Sequence, residues 1–313
     1  PAKAEIASRS FVELVKQMEQ GRNVPEAIMF YEANPAYSLP EAEKTAKTLT
    51  SIPFKVSFST FMDETAALCD LILPNPHYLE RLDDCYSPFG CGQVIYSAGS
   101  PVIDPLFDTK PSWEIVMDLC QAMDIDPGYK SLEKMMQHKA EKLGGKWKSI
   151  SDGQAYTSED NVFQYQVSLP RELGASALEN PGNQHQLSLA PLGRMRFGNR
   201  LIAIPPFATV TIQETELSAQ GFFVQMNSAT AFKHNLKQDQ SITLTSEAGS
   251  IQGLVNINEG VMDDVVAVPA GFGHTAWDQF SRGKGDNVFK LLKVAGEKGS
   301  DALTWNRTRV DIA

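Results

Sequence analysis

The chain lacks both a concentrated positive charge and a long apolar run. It has 28 Lys and Arg residues against 38 Asp and Glu residues, which gives a formal net charge of −10. Nucleic acids and anionic lipid surfaces require a dense positive face, so the sequence argues against both as partners. No apolar run approaches the roughly 20 residues of a membrane helix, and the opening residues PAKAEIASRS lack the apolar core of a signal peptide. We therefore expect a soluble globular chain.

Cysteine is scarce, and its spacing excludes the common metal sites. The four cysteines are Cys69, Cys85, Cys91 and Cys120, and no two of them form a C-x-x-C pair. The spacing of Cys85 and Cys91 matches no common zinc or iron–sulfur pattern, and a four-cysteine disulfide framework is uncommon in a chain of this length. We predict no metal ligand here and interpret Cys69 as a small buried residue.

The first part of the chain reads as alternating strands and helices. A β-rich run at Pro53–Phe58 is followed by a short helical segment that Asp63 opens, and then by a second buried run at Asp70–Leu73. An earlier strand at Ala27–Tyr31 breaks at an Asn-Pro pair, and a helix is predicted over residues 4–20. This order predicts a partial doubly wound parallel sheet, with ligands at the loops that leave the strand ends.

Further helices and an irregular segment follow this α/β part. A helix from Ser112 places Ile115, Val116, Leu119 and Met123 in one apolar stripe. A second helix, SLEKMMQHKAEKL, ends at a Gly-Gly pair. Residues 146–199 are predicted to be a linker with short strands, of which FQYQVSL is the clearest. We accordingly place the α/β domain at residues 1–145.

From residue 200 the composition changes to short β-rich runs separated by turn residues. Six such runs within about 75 residues favour a closed six-stranded β-barrel over residues 200–313, because closure removes exposed strand edges. The runs are RLIAIPP, ATVTIQE, FFVQMN, SITLTS, SIQGLVNI and DVVAVPA.

Each candidate site residue also has a purely structural interpretation. Asn34 can bond its own backbone in an Asn-Pro turn, Asp63 can cap a helix, and Ser228 can do the same at the next helix. His274 can be a hydrogen-bonded turn residue. Thr65 is the residue we expect to contact a phosphate, because a hydroxyl at a helix N-terminus forms an anion site.

Several of these segments resemble one known family. The motifs are NPAYSLP at Asn34–Pro40, DETA at Asp63–Ala66, YLER at Tyr78–Arg81, PAGFGH at Pro269–His274 and GKGDNVFKLL at Gly283–Leu292. The run FFVQMNSATAFKHNLKQDQSITLTSEAGSIQGLV is similar to the family's C-terminal dinucleotide-binding barrel. Together they resemble the large subunits of the molybdopterin oxidoreductase family, closest to its polysulfide and thiosulfate reductases and to the molybdopterin-binding-like subunits of menaquinone reductase complexes.

The resemblance implies a set of residues that face a molybdopterin guanine dinucleotide, but no catalytic residue and no metal ligand. In the family the loops that correspond to these residues surround the pterin. The residues are Asn34, Ser38, Glu64, Thr65, His77, Glu80, Asn227, Gly273, His274 and Asn287.

One departure from the family bears on the cofactor. Active members usually carry an Arg and a His-Thr cluster in the segment that corresponds to residues 201–221, where this chain has neither Arg nor His. Two buried diphosphate groups would then be poorly compensated. We expect that the chain holds no molybdenum cofactor, and the alternative that it binds a bis-guanylated pterin stays open.

The resemblance also implies partners and a location. It indicates a subunit on the periplasmic side of the cytoplasmic membrane, peripheral to it, which acts as a scaffold in a menaquinone-reducing complex of anaerobic respiration. The implied partners are a multihaem cytochrome c subunit, an iron–sulfur subunit and an integral membrane quinone-binding subunit. Because no glycine-rich fingerprint precedes the first strand, we also expect an N-terminal half of the same protein, or a partner chain, to complete the fold. The alternatives are an active polysulfide or thiosulfate reductase and an unrelated soluble α/β ligand-binding protein.

Overall fold

The structure is a computed structural model that describes residues 11–87, 92–158, 186–193, 211–219, 221–293 and 308–313. By its internal contacts the chain divides into two units. One comprises Pro1–Ile72 together with Glu179–Ala313, and the other comprises Leu73–Leu178. Each is described by itself below. The domain boundaries given above rest on composition and resemblance rather than on contacts, and they stay a prediction.

The first unit opens with a parallel α/β layer. Three strands form a parallel sheet in the order β1-β2-β3, as the strand and helix pattern predicts. A buried cluster that includes Val15 and Met18 of the first helix, Phe30 of the first strand and Leu49 of the third helix covers one face. The elements are α1 (Phe11–Glu19), β1 (Ala27–Phe30), α2 (Pro35–Ser38), α3 (Ala42–Leu49), β2 (Phe54–Ser57), a 3₁₀ turn (Ala66–Leu68) and β3 (Leu71–Ile72).

The same unit contains a closed barrel. Six strands pair in the cyclic order β7-β12-β9-β11-β10-β13 and back to β7, and a two-residue strand, β8, extends the sheet beside β9. The predicted six-stranded barrel is therefore confirmed. The elements are β7 (Leu187–Leu192), β8 (Leu217–Ser218), β9 (Gly221–Met226), α7 (Ser228–Lys233), β10 (Ser241–Thr245), β11 (Ser250–Ile257), β12 (Val265–Pro269), a 3₁₀ turn (Val288–Lys290) and β13 (Arg309–Ile312).

The structure corrects the membership of this barrel. Four predicted runs are strands, namely β9 to β12, and the other two places are taken by β7 and β13. β7 lies in the segment that we predicted to be a linker with short strands, and its Pro191 pairs with Val268 of β12. RLIAIPP and FQYQVSL lie outside the described residues. The described part of ATVTIQE, residues 211–214, is not a strand.

The second unit combines a small antiparallel sheet with three helices. Strand β5 lies between β4 and β6, and Tyr96, Ala140 and Ile150 form its buried core. The helix from Ser112 is confirmed, but Val116, Leu119 and Met123 of its apolar stripe are exposed. The elements are β4 (Asp83–Tyr86), β5 (Ile95–Gly99), α4 (Ser112–Ala122), α5 (Leu132–Lys142), α6 (Trp147–Ser151) and β6 (Tyr156–Thr157).

Across the part of the chain that the structure describes, no helix combines the length and the apolar character needed to span a membrane.

Candidate functional site

Loops that are distant in sequence meet around the carboxylate of Glu64. The loop after β2 supplies Glu64, and the loop after β12 supplies His274, Thr275 and Ala276. Oε1 of Glu64 lies 3.0 Å from Nδ1 of His274, 2.9 Å from the amide nitrogen of Thr275 and 3.1 Å from that of Ala276. The turn of backbone N–H groups around Oε1 resembles an anion nest. The anion in it is the protein's own carboxylate.

The second oxygen of Glu64 is also bonded. Oε2 accepts a hydrogen bond of 2.7 Å from Nδ2 of Asn34 and one of 3.2 Å from Nε1 of Trp277. Burial by itself would raise the pKa of this carboxyl, but the hydrogen bond and charge interaction with His274, followed by the bonds from Asn34 and the backbone, outweigh burial and lower the pKa from 4.5 to about 2. Glu64 is therefore ionised at neutral pH with both oxygens bonded.

Asn34 connects this carboxylate to the start of the 3₁₀ turn. Its Oδ1 accepts bonds from the amide nitrogen of Thr65 at 3.1 Å and from the Thr65 hydroxyl at 2.9 Å. The same hydroxyl oxygen accepts a 3.0 Å bond from the amide nitrogen of Ala36. Asn34 and Thr65 are each 1% exposed. We predicted that Thr65 contacts a phosphate. In the structure its hydroxyl already donates one hydrogen bond, to Asn34, and accepts another, from Ala36.

Asp63 provides the local cap that the sequence predicts. Its Oδ1 accepts a 2.7 Å bond from the amide nitrogen of Ala66, and its Oδ2 accepts a 2.8 Å bond from the hydroxyl of Ser59. Burial raises the pKa of Asp63, and the two hydrogen bonds partly oppose that rise. The two adjacent acids therefore have opposite pKa shifts and different structural roles.

Tyr37 packs the loop after β1 onto the loop after β12. Its ring stacks on the imidazole of His274, with ring centroids 3.9 Å apart and planes inclined by 14°. Its hydroxyl donates a 2.7 Å bond to the carbonyl oxygen of Phe272. Its own carbonyl oxygen accepts a 2.9 Å bond from Nδ2 of Asn287, whose Oδ1 accepts from the amide nitrogen of Phe289. Burial raises the pKa of Tyr37 far above its ordinary value.

His274 has one bonded nitrogen and one unbonded nitrogen. Because an ionised carboxylate can only accept, Nδ1 carries the hydrogen that is shared with Glu64. Nε2 is buried and has no hydrogen-bond partner among the described residues. A group that binds the imidazole would therefore reach it at this nitrogen.

The glycine before His274 allows close packing of the backbone. The resemblance places Gly273 among the residues that face the cofactor, and that role stays a prediction. At φ +75° a Cβ built on Gly273 would lie 2.3 Å from the amide nitrogen of Asn287 and 2.4 Å from the carbonyl carbon of Asp286. The missing side chain therefore allows two backbone segments of the protein to pack together.

Trp277 is held in an unfavourable backbone conformation by the same cluster. Its φ is +76°, which is uncommon for a bulky residue. The amide nitrogen donates to the carbonyl oxygen of Met62 at 2.8 Å, the indole nitrogen donates to Glu64, and the ring lies 5.0 Å from that of Phe61. These three contacts fix the loop after β12 against the loop after β2 and offset the backbone strain.

Two other predicted residues perform local structural roles. Ser38 donates from its hydroxyl to the carbonyl oxygen of Asn34 at 2.8 Å. Asn227 caps α7 by accepting a 2.8 Å bond from the amide nitrogen of Thr230, and it also donates to Asp263. We expected Ser228 to be the cap, whereas the residue before it performs that function.

His77 and Glu80 belong to the second unit and contact each other there. The Glu80 carboxylate accepts bonds from the amide nitrogens of His77 at 3.0 Å and Leu106 at 3.2 Å. The neighbouring Arg81 donates to the carbonyl oxygen of Pro76 and pairs with Asp83 at 3.1 Å. This turn is therefore partly buried and hydrogen-bonded.

Sequence reasoning missed the central roles of Tyr37 and Trp277. Tyr37 lies within the NPAYSLP motif and Trp277 follows PAGFGH, so both were close to the predicted residues. Large aromatic residues at the ends of buried strands are the available signal, because such rings usually pack on their surroundings.

A cavity of about 610 Å³ lies elsewhere, against the barrel. It is lined on the face of β7 and β12 opposite the core by Ala190, Leu192, Val265 and Ala267, and also by Gln225 of β9. None of the predicted site residues lines it.

The cluster around Glu64 does not fit the role of a direct pterin or diphosphate ligand. Asn34, Thr65 and Asn287 bond to protein groups through both their oxygen and their donor, and the Glu64 carboxylate already accepts five bonds. Such a site needs donors that are free to reach the anion. Among the described residues Nε2 of His274 has no hydrogen-bond partner, but with the hydrogen on Nδ1 a neutral imidazole offers an acceptor there and not a donor. Among the described residues no three His, Cys, Asp or Glu side chains are grouped to hold a metal ion.

Family comparisons agree with this architecture. The Molybdopterin oxidoreductase family model matches residues 4–122, and the Molydopterin dinucleotide binding domain matches residues 207–300. The chain belongs to the molybdopterin oxidoreductase family. Within that family it is 42% identical, over 289 residues, to the menaquinone reductase molybdopterin-binding-like subunit of Nitratidesulfovibrio vulgaris.

That match spans 92% of this chain but only 42% of the relative's length. The thiosulfate reductase molybdopterin-containing subunit of Salmonella typhimurium is 28% identical over 96 residues, which is 31% of this chain and 12% of that protein. Acetylene hydratase from Pelobacter acetylenicus has the same fold, with a TM-score of 0.69 at 16% identity over 96% of this chain and 46% of that one.

Proposed function

We propose that the chain is part of a scaffold subunit in a membrane-associated respiratory complex of the menaquinone reductase type, and that it holds no molybdenum cofactor of its own. It would lie on the periplasmic side of the membrane as a peripheral subunit. Its task would be to hold redox partners within electron-transfer distance rather than to catalyse a reaction itself.

The main support for this proposal is the Glu64 carboxylate, whose two oxygens both accept hydrogen bonds from the protein. The loops that the family resemblance assigns to the cofactor are bonded to one another here, through five hydrogen bonds to one buried carboxylate. A buried carboxylate also repels an incoming diphosphate, since like charges in a low-dielectric site destabilise each other. The cluster therefore supports a role in fixing the fold.

The sequence between residues 201 and 221 supports the same proposal. It contains neither Arg nor His, and a buried diphosphate without cationic donors is poorly stabilised. The relative that matches 92% of the chain is named as molybdopterin-binding-like and as a subunit of menaquinone reductase. We propose that the present chain, like that relative, belongs to such a complex. The proposed partners are a multihaem cytochrome c, an iron–sulfur protein and a membrane quinone-binding subunit.

A second candidate is an active molybdenum reductase of polysulfide or thiosulfate. Two observations favour it: the match to the dinucleotide-binding family model and the buried, unbonded Nε2 of His274. In that case Nε2 would bind the pterin, and the rest of the cluster would orient the imidazole. The third alternative, an unrelated ligand-binding protein, is excluded by the family membership.

Tungstate substitution separates the two candidates. The complex that contains this chain would be purified from cells grown with molybdate and from cells grown with tungstate in its place. Reoxidation of its reduced haem by a soluble menaquinone analogue would then be followed optically. We expect equal rates per haem, because a scaffold does not depend on molybdenum. A large loss of rate after growth on tungstate, or a purified chain without haem and iron–sulfur partners, would contradict the proposal.

A further inference from the structure

Three residues on neighbouring strands form the floor of the cavity beside the barrel. Ala190 of β7 pairs with Ala267 of β12, and Ala267 pairs with Gln225 of β9. Paired residues of neighbouring strands point to the same side of a sheet, and this side is opposite to the barrel core. Because an alanine side chain is a single methyl group, the two alanines leave space above the sheet. The cavity of about 610 Å³ occupies that space, and its volume is typical of small-molecule sites.

The walls of the cavity are mostly hydrocarbon. Leu192 and Val265 extend the apolar floor along the two parallel strands, and Val261 and Met262 belong to the loop before β12. Met262 is 77% exposed, and its flexible thioether side chain can adapt to a ligand. Among the described residues that line the cavity there is no Lys, Arg or His, whereas Glu216 supplies a buried acidic side chain. An anionic ligand would therefore find no cation in this lining.

The amide of Gln225 places a hydrogen-bond donor in the apolar floor. Gln225 is 4% exposed, and its Oε1 accepts a 3.0 Å bond from Nδ2 of Asn258. The orientation of Asn258 is fixed, because its Oδ1 accepts a 2.9 Å bond from the amide nitrogen of Gly260. The carbonyl oxygen of Gln225 is thus bonded, whereas its Nε2 has no hydrogen-bond partner among the described residues. A buried N–H group without a partner is costly, so this donor favours a ligand with an acceptor.

These features define the class of ligand. We propose that the cavity binds a neutral, flat and largely apolar molecule that carries a carbonyl oxygen, and that this oxygen accepts a hydrogen bond from Nε2 of Gln225. The methyl groups of Ala190 and Ala267 contact the face of its ring system. A guanine or pterin ring does not fit, because its several polar edge atoms would lose water without gaining partners on a hydrocarbon wall. The cavity shares no residue with the Glu64 cluster, so the inference goes beyond the scaffold proposal and does not depend on it.

Matched ligand probes test the hydrogen bond. The purified complex that contains this chain would be titrated with 1-tetralone, a two-ring ketone, and with tetralin, which has the same ring skeleton without the oxygen. Binding would be followed by saturation-transfer difference NMR. We expect 1-tetralone to bind about tenfold more tightly than tetralin, because one buried hydrogen bond contributes about that factor. Failure of both probes to bind, or equal affinities for the two, would overturn the proposal.

Variants test whether the probes bind in this cavity. Gln225→Leu removes the donor, so the affinity for 1-tetralone should fall to that for tetralin, which is retained. Ala267→Leu fills the floor and should weaken both probes about tenfold or more, so it tests the site even if Gln225→Leu does not fold. Gln252→Leu is the control, because Gln252 is an exposed residue of β11 outside the cavity, and it should change neither affinity. A preference for 1-tetralone that survives Gln225→Leu, or binding that Ala267→Leu leaves unchanged, would contradict the proposal.

Competition distinguishes the class of ligand. 1-Naphthoate carries a carboxylate on a similar pair of rings, and guanosine monophosphate carries a purine and a phosphate. Neither should displace 1-tetralone, because the described lining offers no cation and few polar partners. Displacement by 1-naphthoate would indicate an anion site, and displacement by guanosine monophosphate would indicate a nucleotide site. Either result would overturn the assignment of a neutral carbonyl ligand.

Discussion

Glu64 and His274 are 210 residues apart in the sequence, yet Oε1 of one lies 3.0 Å from Nδ1 of the other inside the protein. The pair joins the loop after β2 of the parallel sheet to the loop after β12 of the barrel. Because both side chains are buried and the carboxylate is ionised, the contact fixes how the two halves of the first unit meet.

Removal of the Glu64 charge should destabilise the first unit. In Glu64→Gln an amide N–H₂ group would face donors that now meet a carboxylate oxygen, which leaves buried N–H groups unsatisfied. We expect a loss of about 3 kcal/mol in the free energy of unfolding, measured by denaturant titration. The matched control is Glu259→Gln at an exposed position, which should change stability by less than about 0.5 kcal/mol. Equal effects of the two substitutions would show that the cluster contributes nothing to stability.

The low pKa of Glu64 predicts a defined pH dependence. A carboxyl whose pKa is lower in the folded state contributes stability above its unfolded pKa and loses it as the pH falls through the folded pKa. For Glu64 this range runs from 4.5 down to about 2. The neighbouring Asp63, whose pKa is raised, contributes with the opposite sign and offsets part of the loss.

The pH effect can be isolated by difference. The stability difference between the natural chain and Glu64→Gln should be largest at neutral pH and should shrink by about 3 kcal/mol as the pH is lowered to 2. Urea titrations at a series of pH values measure it. A difference that stays constant over this range would show that the carboxylate is not stabilised by its surroundings.

Gly273 should tolerate no side chain. Gly273→Ala places a methyl group against the backbone of Asp286 and Asn287 and also requires a left-handed φ, so we expect a loss of about 3 kcal/mol or more, or a failure to fold. Gly283→Ala is the control, because its φ is also positive at +73° but no atom lies within 4 Å of the added Cβ. The control should cost only about 1–2 kcal/mol, as measured by thermal unfolding. Similar costs for both would indicate that the close backbone packing is not rigid.

The substitution Asn34→Asp tests whether its partner Glu64 is ionised in the folded protein. The substitution replaces an N–H donor by an oxygen 2.7 Å from Oε2 of Glu64, so two carboxylates would share one buried site. We expect a destabilisation of about 3 kcal/mol at neutral pH, which becomes smaller on acidification because one of the two acids takes up a proton. Denaturant titrations at neutral and acidic pH measure the change. A loss that is independent of pH would argue that Asn34 acts only through the shape of its side chain.

Local chemistry predicted much of the fold. Alternating apolar residues located β9 to β12, and the acid at position 63 identified the cap of the 3₁₀ turn. β7 was not assigned to the barrel because it lies in a polar segment that the sequence predicts to be a linker, although it pairs with β12. The exposed stripe of α4 shows a related limit, since periodicity predicts a helix but does not say what covers it.

The candidate site was only partly predictable. Family motifs identified Asn34, Glu64, His274 and Asn287, and the structure brings all four into one cluster. That they bond to one another through Glu64 could not be read from the sequence, because the partners are separated by up to 210 residues. Pattern and propensity describe neighbours in the chain, whereas these contacts depend on how the sheet and the barrel pack.

The metal and pterin content of the native complex tests the central claim most directly. The complex would be purified through a tag on this chain, analysed for iron, molybdenum and tungsten by mass spectrometry, and oxidised to release any fluorescent pterin. We predict abundant iron, no stoichiometric molybdenum or tungsten and no pterin. About one molybdenum or tungsten atom per chain, together with released pterin, would contradict the account, because a bound cofactor and not the Glu64 cluster would then define the site.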